Sequence, residues 1–176
     1  MAESKPTTGM GCGLPPETME EAESVEEPDA KEVWLCQKLA GALIWLATRT
    51  RPDIAFAQSR VSSDATKNPT RGLMIGRIVL RYLAGTPGWG LSFEGEGGDL
   101  TAHGDASFEA TKAISGTAVF HGGKLLAWRC AKQAQVPKST ADAEVTALSA
   151  SLNIAEHVKG SLVQHDGADR DHQRDV

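Results

Sequence analysis

The stretch LTAHGDASFEATKAISGTAVFHGGKLLAW, residues 100–128, decides the fold class of this chain. Apolar and polar residues tend to alternate along it, which is the period of a β-strand with one buried face. The pattern predicts strands over 100–106, 114–120 and 125–128, and the last two form a hairpin around His121-Gly122-Gly123. Three strands joined in this way predict an antiparallel meander.

The residues that flank the meander extend the prediction in both directions. On the N-terminal side, Leu91 and Phe93 alternate with polar neighbours and predict one more short strand. On the C-terminal side, Ser139 and Asp142 have the spacing of a helix capping box. Apolar residues behind it recur at helical spacing and predict an amphipathic helix packed on one face of the meander: Val145, Leu148, Leu152 and Ala155.

Residues 31–88 predict three helices. Pro52 favours the start of the second helix, since proline is tolerated in a first turn, and Asn68-Pro69-Thr70 opens the third. Gly85-Thr86-Pro87-Gly88 ends it. The first helix has an apolar stripe at positions i, i+4, i+7 and i+11, which are Leu35, Leu39, Ala42 and Leu46.

The predicted organisation is an α+β chain of four segments. Residues 1–30 form an acidic, disordered N-terminus, because they hold too few apolar residues to offset the entropy of ordering. Residues 31–88 form the helical segment, and residues 89–163 contain the meander and its helix. Residues 164–176 are polar and without periodicity, so they predict a disordered tail.

Charge is distributed unevenly along the chain. Residues 1–30 hold eight acids against Lys5, which gives −7, whereas residues 31–90 hold nine Lys and Arg against three acids, which gives +6. The basic block favours attraction to phosphate backbones, although solvated helix faces would give the same composition.

Location and metal content are predicted from what the sequence lacks. Three cysteines without a CxxC pair indicate neither a disulfide framework nor a zinc site. Without a signal-peptide pattern, and with no apolar run near the roughly 20 residues that span a bilayer, the expected location is intracellular, cytoplasmic or nuclear, not secreted and not membrane-bound.

Two carboxylates stand where a cation could be bound. Asp105 lies at the end of a predicted strand among small neighbours, and Glu144 lies in the first turn of the capped helix, where the helix dipole stabilises its charge. From spacing alone, two interpretations remain open: the two acids share a cation site, or they are ordinary surface residues.

Six stretches resemble, in the same order, motifs of copia-type retrotransposon Pol polyproteins, from the end of the reverse transcriptase region into the ribonuclease H domain. The stretches are 46–55 (LATRTRPDIA), 81–86 (RYLAGT), 103–108 (HGDASF), 114–116 (ISG), 127–133 (AWRCAKQ) and 139–144 (STADAE).

The resemblance implies a truncated ribonuclease-H-like domain, preceded by a helical connection segment from the reverse transcriptase region. That family cuts the RNA strand of RNA–DNA hybrids with two Mg²⁺ or Mn²⁺ ions. Asp105 and Glu144 match two of its four metal-binding acids, and the strand and late helix that carry the other two have no counterpart here. We therefore expect weak metal binding and a catalytically incompetent fragment.

The partner that the resemblance implies is an RNA–DNA hybrid or another nucleic acid. The residues expected to contact it are basic, namely Arg71, Arg77, Arg81 and Lys132. The alternative is a non-catalytic remnant that binds nucleic acid or another protein. The sequence does not determine an oligomeric state.

Overall fold

The computed structural model describes residues 27–95, 97–109 and 112–172, so the predicted disordered segment lies almost entirely outside the described residues. The chain divides into two compact units, and the boundary along the sequence falls between Gly90 and Leu91. The first unit contains α1 (Ala30–Arg49), a short 3-10 helix (Pro52–Ile54), α2 (Ala55–Asp64) and α3 (Pro69–Gly85). The second contains β1 (Leu100–Glu109), β2 (Lys112–His121), β3 (Lys124–Lys132) and α4 (Thr140–His172). The predicted α+β class is confirmed.

Local side-chain chemistry sets the ends of the helices in the first unit. The Asp29 carboxylate accepts a hydrogen bond from the backbone N–H of Lys31 at 3.0 Å and caps α1. The Asn68 side chain does the same for Arg71 at 3.1 Å, and Pro69 occupies the first position of α3. The helix starts predicted at Pro52 and at residues 68–70 are confirmed.

The core of the helical unit is made from a different face of α1 than the predicted stripe. Its fully or nearly fully buried positions are Cys36, Ala40, Leu43 and Ala47. Leu35 is 46% exposed, and Leu39 and Leu46 are only partly buried. The predicted stripe is therefore displaced by one residue, because α1 is apolar around most of its circumference and its smaller side chains face α2 and α3. Those helices contribute the remaining core side chains, which include Ile54, Ala57, Val61, Ile75, Val79 and Tyr82.

The second unit is built on an antiparallel sheet with the strand order β1-β2-β3. Gly122 and Gly123 join β2 to β3 with φ angles of 56° and 77°, the left-handed conformation that a tight hairpin requires at both positions. The strand predicted around Leu91 and Phe93 does not form, and residues 91–94 have no regular structure. Instead Gly98 packs against Gly122, and the Asp99 carbonyl accepts a hydrogen bond from the Gly122 N–H at 3.1 Å.

Helix α4 covers one face of β1 and β2. At Gly104 the helix approaches so closely that a Cβ would lie 2.7 Å from the Ala147 carbonyl oxygen. The residues of α4 buried against the sheet are small, namely Ala143, Ala147 and Ser151, at i, i+4 and i+8. The predicted helix is confirmed, but its backbone continues through residues 164–172, which belong to the predicted disordered tail, and ends at His172.

The apolar stripe predicted for α4 faces away from the sheet. Val145 is 65% exposed, Leu148 49% and Leu152 60%. The sheet selects small side chains because the backbones are so close, and this leaves the larger apolar residues on the outer surface. None of the helices in the described part of the chain is long and apolar enough to cross a membrane.

Candidate functional site

Asp105 lies in the middle of β1, opposite Gly116 of β2, and is exposed. Its neighbour Gly104 faces α4. Because successive residues of a strand point to opposite faces, the Asp105 side chain leaves the face that α4 does not cover. The pairing of β1 with β2 is regular throughout, so no bulge reverses this alternation.

Glu144 follows the first turn of α4, which contains Asp142 and is capped by the predicted residue Ser139. The Asp142 N–H donates to the Ser139 hydroxyl at 3.1 Å, and the Lys138 N–H donates to the Asp142 carboxylate at 2.9 Å. Glu144 follows the buried Ala143 and is half-buried. Its backbone belongs to the helix that covers the far side of the sheet from Asp105.

The structure therefore does not bring the two predicted metal ligands together. The Asp105 side chain starts from the open face of the sheet, and the Glu144 side chain starts from the helix on the other face. A divalent cation needs several oxygen ligands converging on one point. Among the described residues no group of three or more His, Cys, Asp or Glu side chains forms such a cluster. This arrangement does not fit a shared Mg²⁺ or Mn²⁺ ion.

One of the four residues predicted to contact nucleic acid is removed from the surface. Arg71 is buried, and its Nε lies 2.8 Å from the Asp64 carboxylate, whose side chain is 11% exposed. An arginine held in a buried ion pair would leave an uncompensated charge behind if it turned towards a phosphate. Arg71 stabilises the junction of α2 and α3.

The other three predicted contacts are exposed. Arg77 and Arg81 lie four residues apart on α3, and residues at that spacing share one face of a helix. Lys132 is exposed at the end of β3, in the second unit. All three side chains are accessible to solvent, and their contact with nucleic acid stays a prediction.

A polar network joins two of the motifs that carry the resemblance. From LATRTRPDIA, the Arg51 guanidinium donates to Asp53 at 2.8 Å and to the Thr86 hydroxyl and carbonyl at 2.8 and 3.0 Å. From RYLAGT, the Tyr82 hydroxyl donates to Asp53 at 2.8 Å, and the Thr86 hydroxyl donates to the Tyr82 carbonyl at 2.8 Å. We call these four residues the Arg51 clamp.

The clamp shifts the pKa of its own members. Burial acts to raise the pKa of Asp53, but hydrogen bonds from Arg51 and Tyr82 outweigh it and hold that pKa below its ordinary value. The hydrogen bond to Asp53 raises the pKa of Arg51 against the effect of burial. Burial, then the hydrogen bond to Asp53, raises the pKa of Tyr82. All four residues are occupied with one another, so the clamp holds the start of the 3-10 helix to the end of α3.

A third motif, AWRCAKQ, also has a structural role in the second unit. The Gln133 side-chain amide donates to the Ser115 hydroxyl at 2.8 Å and to the Ala143 carbonyl at 2.9 Å. Its backbone N–H donates to the Ala113 carbonyl at 2.8 Å. Gln133 thus ties β2 to α4 at Ala143, the residue before Glu144.

A surface that the sequence analysis does not single out lies between α1 and α3. It is an apolar groove with a cavity of about 390 Å³, which we call the α1–α3 groove. Its lining residues are Leu35, Lys38, Leu39, Ala42, Leu73, Arg77 and Leu80. The sequence does contain a signal for it, because α1 has more apolar residues than one buried face can use. Trp34 and Trp45, two large apolar side chains of α1, are 59% and 61% exposed for the same reason.

Comparison with known proteins gives two related sequences. The chain is 34% identical over 111 residues to the retrovirus-related Pol polyprotein from transposon RE1 of Arabidopsis thaliana, which covers 60% of this chain but only 8% of the polyprotein. It is 36% identical over 115 residues to the secreted RxLR effector protein 161 of Plasmopara viticola, covering 62% of this chain and 80% of the effector. No family model matches the chain, and no solved structure matches it.

These relatives support one prediction and contradict another. The first supports an origin in a retrotransposon Pol polyprotein. The second is described by its name as a secreted protein, and this contradicts the prediction that the chain is not secreted. The absence of a recognisable signal pattern in one sequence is weaker evidence than a relative that matches over most of its own length. The chain belongs to the family of the secreted RxLR effector protein 161, and it is related to a retrotransposon Pol polyprotein.

Proposed function

We propose that the chain is a non-catalytic remnant of a copia-type Pol polyprotein that acts by binding other proteins. In this proposal, residues 31–88 derive from the end of the reverse transcriptase region and residues 89–163 from a ribonuclease-H-like domain. The observation that supports it is that Asp105 lies on the face of the sheet that α4 leaves uncovered, whereas Glu144 belongs to α4, which covers the other face. Hybrid cleavage with two metal ions needs these carboxylates on one side.

The exposed apolar surfaces support protein binding. On the second unit, α4 presents Val145, Leu148 and Leu152 to solvent. Within the described residues, β1 pairs only with β2, so its other edge carries unpaired backbone N–H and C=O groups. An apolar helix face beside an open strand edge is the type of surface that accepts a partner chain. Membership of a family that includes a secreted effector is compatible with such a role.

A cleavage assay tests the catalytic half of the proposal. We expect the purified chain, incubated with an RNA–DNA hybrid and Mg²⁺ or Mn²⁺, to show no cleavage above that of the Asp105→Asn variant. Asp105 is exposed, so the variant should fold like the parent. Metal-dependent cutting that Asp105→Asn abolishes would refute the proposal, because it would require Asp105 to reach a ligand set that this arrangement does not form.

Nucleic-acid binding is the second candidate function, and the exposed Arg77 and Arg81 on α3 favour it. The double variant Arg77→Glu/Arg81→Glu tests it in a hybrid-binding titration. Affinity that falls steeply between 50 and about 200 mM salt and is lost in the double variant would support it, since released counterions drive phosphate contacts. Unchanged affinity in the variant would exclude these two residues as the contact.

A further inference from the structure

The α1–α3 groove rests on a close approach of the two helices. Gly76 of α3 has no side chain, and a Cβ there would collide with the Leu39 side chain of α1. Leu39 therefore lies against the backbone of α3 and closes the floor, while Leu35 and Leu80 remain 46% and 47% exposed at the margins. The groove is lined by side chains that could bury considerably more apolar surface than they bury in this chain.

The dimensions of the groove suit a short helical segment. Its lining runs from Leu35 to Ala42 on α1 and from Leu73 to Leu80 on α3, which is a separation of seven residues along each helix. At 1.5 Å per residue this is about 10 Å, or two helical turns. A helix that places apolar side chains at i, i+3 or i+4, and i+7 presents three anchors over the same length.

The charges beside the groove restrict which apolar helices could bind in it. Lys38 on α1 and Arg77 on α3 place one cation on each helix along the groove. The Lys38 ammonium lies 5.0 Å from the centre of the Trp34 ring, a cation–π contact that helps to hold it along α1.

The rest of the helical unit has the same sign. Its exposed bases are Lys31, Lys38, Arg49, Lys67, Arg77 and Arg81. Of the three acids between residues 30 and 90, Asp53 and Asp64 form internal pairs with arginines, and Glu32 accepts a hydrogen bond from the Thr70 hydroxyl at 2.7 Å. The surface around the groove is therefore strongly basic, and it attracts acidic partners.

We propose that the α1–α3 groove binds an acidic amphipathic helix of another protein, with leucine-like anchors on the floor and carboxylates beside Lys38 and Arg77. Nucleic acid fits the charges of Lys38 and Arg77 but not the apolar side chains between them, which offer no hydrogen-bonding groups to phosphates or base edges. The inference rests on the proposed role in protein binding and gives the chemistry of one partner. The hybrid-cleavage assay does not depend on this groove, so the two proposals fail separately.

The test uses the full chain and a synthetic helical peptide of about 14 residues, with leucine at i, i+4, i+7 and i+11 and glutamate at most other positions. Binding is measured by fluorescence anisotropy of a labelled peptide. Leu80→Ala should weaken binding by about tenfold or more, as expected for the loss of one buried leucine anchor. Leu80 is half exposed in the free chain, so this variant should not unfold it.

Arg77→Glu should also weaken binding, and its effect should shrink as salt screens the charges. The matched control is Arg49→Glu, the same change at an exposed residue at the end of α1 that does not line the groove. A peptide with lysine in place of glutamate should bind at least about tenfold more weakly.

Three results would overturn the proposal. The first is an absence of peptide binding to the full chain. The second is equal weakening by Arg49→Glu and Arg77→Glu together with no effect of Leu80→Ala, which would indicate general charge attraction of the kind that an oligonucleotide shares. The third is binding that requires removal of residues 1–26, which would assign the groove to the chain's own acidic N-terminal segment.

Discussion

Substituting alanine for Gly104 is expected to force α4 away from the sheet. The new Cβ would lie 2.7 Å from the Ala147 carbonyl oxygen and 2.9 Å from its carbonyl carbon, whereas ordinary contact begins near 3.4 Å. These are backbone atoms of a helix and cannot rotate aside, so α4 must retreat by about 0.7 Å. Overpacking of this kind costs about 1–3 kcal/mol, and we expect the upper half of that range because no flexible side chain absorbs the clash.

Hydrogen exchange followed by mass spectrometry measures this cost within one unit of the chain, which a global melting curve does not. A loss of about 2–3 kcal/mol should speed exchange of slow amides in β1 and α4 by roughly 30- to 150-fold. Peptides from α1 to α3 should exchange as in the parent chain.

Gly116→Ala is the matched control, since Gly116 lies opposite Asp105 in the same sheet and a Cβ there meets nothing within 4 Å. Replacing this glycine should be neutral or stabilising by up to about 1 kcal/mol, because alanine lowers the entropy of the unfolded chain. Equal exchange in the Gly104→Ala and Gly116→Ala chains would refute the packing of α4 on β1, and with it the argument that Asp105 faces away from the helix.

Three further predictions concern the helical unit. Tyr82→Phe should lower the free energy of unfolding of this unit by about 1–2 kcal/mol, because Asp53 loses a charge-assisted donor. Urea denaturation monitored by circular dichroism at 222 nm checks this. An unchanged free energy of unfolding would show that Tyr82 does not contribute to the clamp. The pKa of Asp53 is lowered in the folded chain, so its contribution to stability is present above its unfolded pKa and is lost as the pH falls through its folded pKa. An Asp53→Asn chain should therefore lose the part of the acid-induced destabilisation that begins below about pH 5. Identical profiles of stability against pH for the two chains would contradict this. The Cys36 thiol is fully buried, and its pKa is raised first by burial and then by the nearby Asp64 charge. In a Cys12→Ser/Cys130→Ser background it should therefore react with a disulfide reagent only when the helical unit unfolds. Rapid labelling of the native chain would contradict the packing of α1.

The ends of the helices could be predicted from sequence because they depend on residues within a few positions. Asn68 caps α3 through a contact with Arg71, and Ser139 with Asp142 caps α4. The buried faces could not be predicted in the same way. Periodicity identifies that a stripe exists, but α1 and α4 carry apolar residues on two faces, and the choice between them depends on which partner approaches more closely.

The geometry of the candidate site depends on the same kind of long-range packing. Whether Asp105 and Glu144 share a face depends on which side of β1 the helix covers, which is a long-range property. One local signal was present in the sequence: glycine inside a strand often marks the close approach of another backbone. Gly104 precedes Asp105, so a helix that approaches Gly104 necessarily covers the face opposite to Asp105.

The Arg51 clamp gives structural roles to two motifs that resemble those of retrotransposon Pol polyproteins. TRTRPD and RYLAGT are brought together by hydrogen bonds among Arg51, Asp53, Tyr82 and Thr86, and none of these bonds needs a template, a nucleotide or a metal. A chain without polymerase activity can therefore retain both motifs, because folding of the helical unit depends on them. The presence of both motifs therefore indicates a folded three-helix unit, and it does not by itself indicate polymerase activity.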